Sequence, residues 1–218
     1  MTWDYYWAAG GTAEQPAYDQ FLYGNCQVGC GPVAWAMLFC WGDYQAENGN
    51  SYWAARTGLY KANGGRGANA VAPLTQDSGV ENVIEELNGW VDTFCAFGQG
   101  ATHPSTMPGA VGYLSGRTGT RLETHYNIAG IHETRLRDYA RDSIKYRDTP
   151  AVIGIDWFQH YALAYGYAYQ ERIVRRCVAF VCWDEVVYDR CFYINQGWGG
   201  YGNEWITAST WFAGEIYP

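Results

Sequence analysis

Residues 31–41 read Gly-Pro-Val-Ala-Trp-Ala-Met-Leu-Phe-Cys-Trp, and after the proline every side chain is apolar. Pro32 suits the first turn of a helix, where the N–H it lacks has no intrahelical partner anyway. A helix with no polar stripe must be buried all round. The stretch therefore predicts a central helix, closed by Gly42-Asp43, with the rest of the chain wrapped about it. A chain of 218 residues, 48% apolar and only 17% charged, has the material for such a core. Its 11 Trp and 19 Tyr fit a compact protein and exclude a disordered one. The net charge of −8 argues against a polyanionic partner, so no nucleic acid is expected. No run of 18 apolar residues occurs, so no membrane span and no membrane partner are expected.

The remaining pattern falls into two halves. Residues 1–19 are aromatic and Gly-rich and read as an extended lead-in; residues 45–80, with Gly64, Gly65 and Gly67, read as a long irregular connection. Helical spacing of apolar residues marks 80–95, 103–115 and 131–146. After Pro150 the runs 151–156, 161–169, 173–183 and 186–195 are β-branched or aromatic and predict antiparallel strands. Helices first and strands second imply an α+β protein. The expected arrangement is one catalytic domain over 1–218, with a helical lobe over about 20–118 and a β lobe over about 119–218, the boundary falling near 116–125.

Three residues carry candidate chemistry. Cys30 stands immediately before the buried helix, where unpaired N–H groups and the helix dipole favour a thiolate. Gly29 and Gly31 flank it and are expected to leave room for a substrate backbone. The bland alternative is a small buried apolar residue. His160 opens an apolar strand and needs a partner there. Of the other histidines, His103 precedes Pro104 and reads as a loop residue, while His125 and His132 lie in polar stretches and read as surface residues. Asn195 ends a strand ahead of a Gly-rich turn, which is also ordinary turn chemistry. The seven cysteines are odd in number; with one reserved for chemistry, six remain for three disulfides or for buried thiols. Their spacing, with that of the histidines, fits no structural zinc site, so no metal is expected. Cys26 is a rival nucleophile but lies outside the helix.

Taken in order, these blocks resemble the papain-like cysteine peptidases, most nearly the streptopain-like and bacteriocin-leader peptidases. Gly29-Cys30-Gly31-Pro32-Val33-Ala34-Trp35-Ala36-Met37 resembles their nucleophile helix. Thr149-Pro150-Ala151-Val152-Ile153 with His160-Tyr161-Ala162 and Gly166-Tyr167 is similar to their His-Ala strand. Tyr193-Ile194-Asn195-Gln196-Gly197-Trp198-Gly199-Gly200 resembles their Asn-Trp-Gly-Trp-Gly-Gly. Upstream, Tyr18-Asp19-Gln20 and Tyr23-Gly24-Asn25 are similar to the segment whose Gln serves the oxyanion hole. The 130 residues between Cys30 and His160 lie near the ~130–150 of papain itself.

The resemblance implies a papain-like fold and a triad of Cys30, His160 and Asn195, resting as thiolate and imidazolium. Gln20 would be the oxyanion donor, with Gln27 its rival, and Trp198 would shield the His160–Asn195 hydrogen bond. It implies a protein or peptide substrate, no cofactor, a monomer, and a pro-segment or inhibitor as a possible partner. Gln159 and Gln196 depart from the family pattern, Gln159 by replacing a small residue beside the cleft. No signal peptide is legible after Met1, so the chain either stays inside the cell or is a mature domain cut from a longer precursor; a secreted or released mature domain is favoured over a cytoplasmic one. The same triad also serves deamidases, transglutaminases, amidases and effector domains of toxins, and the fold can persist as a binding module without activity.

Overall fold

The computed structural model describes residues 2–48, 72–115, 121–127, 133–156, 160–207 and 209–217. Among these residues, four α-helices and a large antiparallel sheet make it an α+β protein. Helix α1 spans Cys30–Glu47 and is buried continuously from Gly31 to Asp43. It runs past Gly42-Asp43, where the sequence predicts its end. Tyr44-Gln45-Ala46-Glu47 carries no further breaker, and Asn48 closes the helix by bonding back to the Tyr44 carbonyl. Trp35, Met37, Leu38, Phe39 and Trp41 are fully buried along it, each a contribution of about 1.5–3 kcal/mol.

Among the described residues the sheet holds seven strands. Its path is β10 (Glu204–Thr207), β9 (Val181–Asn195), β8 (His160–Val178), β7 (Ala151–Ile155), β11 (Phe212–Tyr217) and β6 (Arg121–Tyr126). Strand β1 (Asp4–Trp7) pairs with β8 over Gly166–Tyr169. The amino-terminal segment is thus part of the sheet and not only a lead-in, because the edge of β8 is free where β7 ends. Tyr165 bulges between the Ala164 and Gly166 pairings, where the neighbour on that edge changes, and its carbonyl accepts from Ala8 N–H. β8 and β9 are each unbroken, so the expected strand over 173–183 instead straddles their turn.

Helix α1 packs on one face of β8 and β7. Helix α4 (Glu133–Arg147) covers the other face, where Ala140 and Ile144 meet Ala151, Ile153, Ile155, Ala162, Phe192 and Ile194. With both faces covered, all five residues of β7 are buried. Helix α2 (Ser78–Trp90) is capped by Asp77, whose carboxylate accepts from Val80 N–H, and it ends earlier than its spacing suggests. Residues 94–96 and 99–101 instead form a hairpin, β4 (Phe94–Ala96) and β5 (Gln99–Ala101). Helix α3 is only Gly109–Ser115, and β6 occupies part of the expected boundary between lobes. Most of the predicted connection over 45–80 lies outside the described residues. No helix among the described residues is long and apolar enough to cross a membrane.

Candidate active site

Cys30 is the first residue of α1, and the chain reaches it through a short hairpin, β2 (Leu22–Tyr23) and β3 (Cys26–Gln27). Gly29 turns the backbone into the helix at φ 94°, a conformation that favours glycine. The space beside Gly29 and Gly31 is filled. A Cβ on Gly29 would meet the Gly100 carbonyl oxygen at 2.9 Å, and one on Gly31 would meet Thr102 Oγ1 at 2.7 Å. Both glycines therefore admit the 93–107 segment to the nucleophile, and the expectation that they make room for substrate is corrected. The disulfide Cys26–Cys95 ties the two hairpins together. Its formation removes Cys26 as a rival nucleophile, since an oxidised sulfur has no thiolate to offer. A second disulfide joins Cys177 and Cys182, leaving Cys30, Cys40 and Cys191 as free thiols instead of six paired cysteines.

The Cys30 sulfur is half-buried and accepts a hydrogen bond from Tyr161 N–H at 3.4 Å. His160 is the residue directly before that N–H, so the backbone at the start of β8 lies against the sulfur. Burial pushes the Cys30 thiol above its ordinary value, while the N–H groups of Tyr161, Cys30 and Gly31 pull it back. Burial likewise lowers His160, against the Gln196 carbonyl and Asp156, which favour the cation. Both directions favour a neutral thiol and a neutral imidazole at rest, in place of the thiolate–imidazolium pair the resemblance suggests.

His160 Nε2 lies 3.0 Å from the backbone carbonyl oxygen of Gln196. A carbonyl only accepts, so Nε2 carries the hydrogen and donates it. In the neutral ring Nδ1 is then the unprotonated, basic nitrogen. The Trp198 ring covers the imidazole, with centroids 5.5 Å apart.

Asn195 does not make the expected bond to His160. Its amide is fully buried, its Nδ2 donates to the Pro16 carbonyl at 2.8 Å, and its Oδ1 accepts from Gly197 N–H at 3.0 Å. Those bonds hold the turn that aims the Gln196 carbonyl at His160. The physical reason for the correction is register: Asn195 sits opposite Leu163, inside the sheet, and it is the next residue that clears the sheet edge. The Gln196 side chain is held in turn, its Nε2 donating to the Gly202 carbonyl and to Glu204.

Gln20 lies between the turn that carries Trp198 and the segment that leads to Cys30. Its neighbour Asp19 bridges Trp198, and its other neighbour Phe21 accepts from Val28 N–H at 2.9 Å. Its own N–H is fixed by the Asp19 carboxylate at 2.7 Å, and among the described residues no hydrogen bond engages its side-chain amide. Gln27 lies on β3, with its Oε1 buried and unpartnered. Gln159 lies outside the described residues, as does His132. His103 is exposed; among the described residues its ring bonds to Ser105, and its carbonyl accepts from Thr106 and Met107 in the same turn. His125 is a half-buried residue of β6 stacked on Tyr139 at 3.6 Å, and not a plain surface residue.

Among the described residues no three His, Cys, Asp or Glu side chains stand together as metal ligands. Sequence reasoning missed the contributions of Tyr161 N–H and the Gln196 carbonyl, because backbone groups carry no residue signature. The sequence matches no protein-family model and no curated protein.

Proposed function

We propose that this protein is a papain-like cysteine hydrolase that cleaves peptide bonds through a thioester on Cys30. One observation carries the reading: the Cys30 sulfur sits at the start of a buried helix and accepts from Tyr161 N–H, the residue next in sequence to a His160 whose Nε2 is committed to a carbonyl. That tautomer leaves Nδ1 as the base. Nδ1 takes the thiol proton as the sulfur bonds to the substrate carbonyl carbon. The Gln20 amide and Cys30 N–H hold the oxyanion. The C–N bond breaks, His160 gives the proton to the departing amine, and a water activated by Nδ1 releases the acid and restores the thiol. The substrate is a protein or peptide, and the chemistry draws on side chains and backbone alone. The two disulfides favour an oxidising compartment, in keeping with a secreted domain.

Hydrolysis of a mixed peptide library, read by mass spectrometry, tests this. Cleavage is expected from the wild type and not from C30A or H160A. Q20A should lower the rate by roughly a hundredfold, as loss of one oxyanion donor does, with Q27A near wild type. No cleavage by the wild type, or cleavage that survives C30A, would sink the reading. A crippled Q27A beside an active Q20A would move only the oxyanion hole.

A further inference from the structure

Strands β8 and β9 run well beyond the rest of the sheet. β1 leaves β8 at Tyr169 and β10 leaves β9 at Cys191, so among the described residues no third strand flanks 170–189 on either edge. This two-stranded arm mixes charged pairs with exposed apolar side chains, Ile173 and Val186 among them, and is wholly apolar only at its tip. Three ion pairs cross it: Arg172 with Asp189 at 2.8 Å, Arg175 with Asp184 at 3.4 Å and Arg176 with Glu185 at 2.9 Å. Beyond them, residues 177–182 read Cys-Val-Ala-Phe-Val-Cys, without a polar side chain, and all are exposed.

The tip is the reverse of what water selects. Its two-residue turn is Ala179-Phe180, with Ala179 at φ 52°, where Gly, Asn and Asp are the usual occupants. Val178 and Val181 are each 67% exposed and Phe180 is fully exposed. The Cys177–Cys182 disulfide closes this end, so it stays a hairpin with no core beneath it.

The arrangement says what covers it. Val178 and Val181 are opposite partners and share one face; the disulfide lies on the other; Phe180 caps the end. An apolar groove on a protein meets one face, whereas an apolar medium meets all of them. Directly behind the disulfide, Trp183 stands opposite Arg176. An indole beside an arginine is the pairing that suits the polar boundary of a bilayer. From Trp183 to Phe180 is three residues, roughly 10 Å at ~3.3 Å each, close to the ~5–10 Å to which interfacial apolar faces sink. Residues 170–189 carry Arg172, Arg175 and Arg176 against Glu171, Asp184, Glu185 and Asp189, so the arm is close to neutral, with a net charge of −1 on a chain of charge −8. Its paired charges complement a zwitterionic headgroup layer, while the acidic body is repelled by an anionic one.

We propose that the arm is a membrane-surface anchor that seats Cys177–Cys182 at the headgroup–acyl boundary of a zwitterionic bilayer. The ion pairs behind the tip stop it there, and the unpaired backbone edges stay within reach of water. The expectation of no membrane partner rests on long apolar runs, and a six-residue tip falls below that filter. The inference is independent of the chemistry at Cys30.

Co-sedimentation of the full chain with phosphatidylcholine vesicles tests it. The wild type should pellet with the vesicles, and F180S should partition about tenfold less or worse, as loss of one buried phenylalanine implies. F180S should melt with the wild type, because Phe180 leaves the core untouched. L22S, which removes an apolar side chain exposed to 68% on a different hairpin, should pellet like the wild type. Three results would overturn the proposal: wild type that stays in the supernatant or pellets only with anionic phosphatidylglycerol vesicles; F180S that pellets as well as the wild type; or wild type that dimerises without lipid through a contact F180S abolishes.

Discussion

The amide of Asn195 bonds to main chain at both ends, and His160 takes its orientation from the carbonyl of the next residue. Asn195 is therefore a positioning residue, acting on His160 through the turn it holds. N195A leaves the Pro16 carbonyl and Gly197 N–H without partners, and a buried unsatisfied group costs about 1–3 kcal/mol. We expect N195A to lose ~2 kcal/mol or more of stability in a denaturant melt and, because the Gln196 carbonyl that the turn aims at His160 favours the cation, to lower the His160 titration followed by NMR. An N195A protein with wild-type stability and an unmoved His160 titration would contradict the positioning role. Gln20 is fixed differently, by its backbone alone, so its amide remains free to meet a ligand.

At the scale of elements, the approach to the nucleophile is a contact between two hairpins. A Cβ on Gly100 would meet the Gln27 carbonyl oxygen at 2.4 Å and Gly29 nitrogen at 2.7 Å, both backbone and unable to yield cheaply. G100A should therefore part β4–β5 from the segment before Cys30, costing about 1–3 kcal/mol or more with a matching fall in activity. G89A is the control: it lies in α2 with nothing within 4 Å of its Cβ, so it should gain a few tenths to about 1 kcal/mol. Thermal melts of the two should move in opposite directions. The helix that carries Cys30 was legible because Pro32 and an unbroken apolar run leave few other structures open. The hairpins were not, since β4 and β5 are three residues each and are tied to β3 by a disulfide whose pairing the cysteine spacing does not give. Strands β10 and β11 were missed for a related reason: Glu204–Thr207 is too short for alternation to register, and Phe212–Tyr217 places Glu215 at a fully buried position. The Gln196 carbonyl was beyond any reading of side chains.

Over the whole molecule, that same Glu215 ties the far end of the sheet to pH. Burial raises its carboxyl to about 7, although Arg147 beside it pulls the other way. The folded protein thus holds a proton that the unfolded chain releases near pH 4.3. Stability contributed by that proton is present below pH 4.3 and is lost as pH rises through 7. Wild-type unfolding free energy should fall by ~2–3 kcal/mol between pH 5 and 8 from this group, and E215Q should flatten that part of the curve. Equal slopes for both would place the ionised Glu215–Arg147 pair in the fold throughout. The account as a whole turns on the pairing of Cys30 with His160, and the three free thiols allow it to be tested without a known substrate. Cys191 is half-buried, Cys40 is fully buried, and burial raises the pKa of all three. Accessibility and acidity alone give Cys30 no advantage over Cys191. Native protein treated with iodoacetamide, with each peptide followed in time by mass spectrometry, should show Cys30 alkylated first, and H160A should slow Cys30 about tenfold or more while leaving Cys191 unchanged. Alkylation of Cys191 ahead of Cys30, or a Cys30 rate indifferent to H160A, would contradict the account.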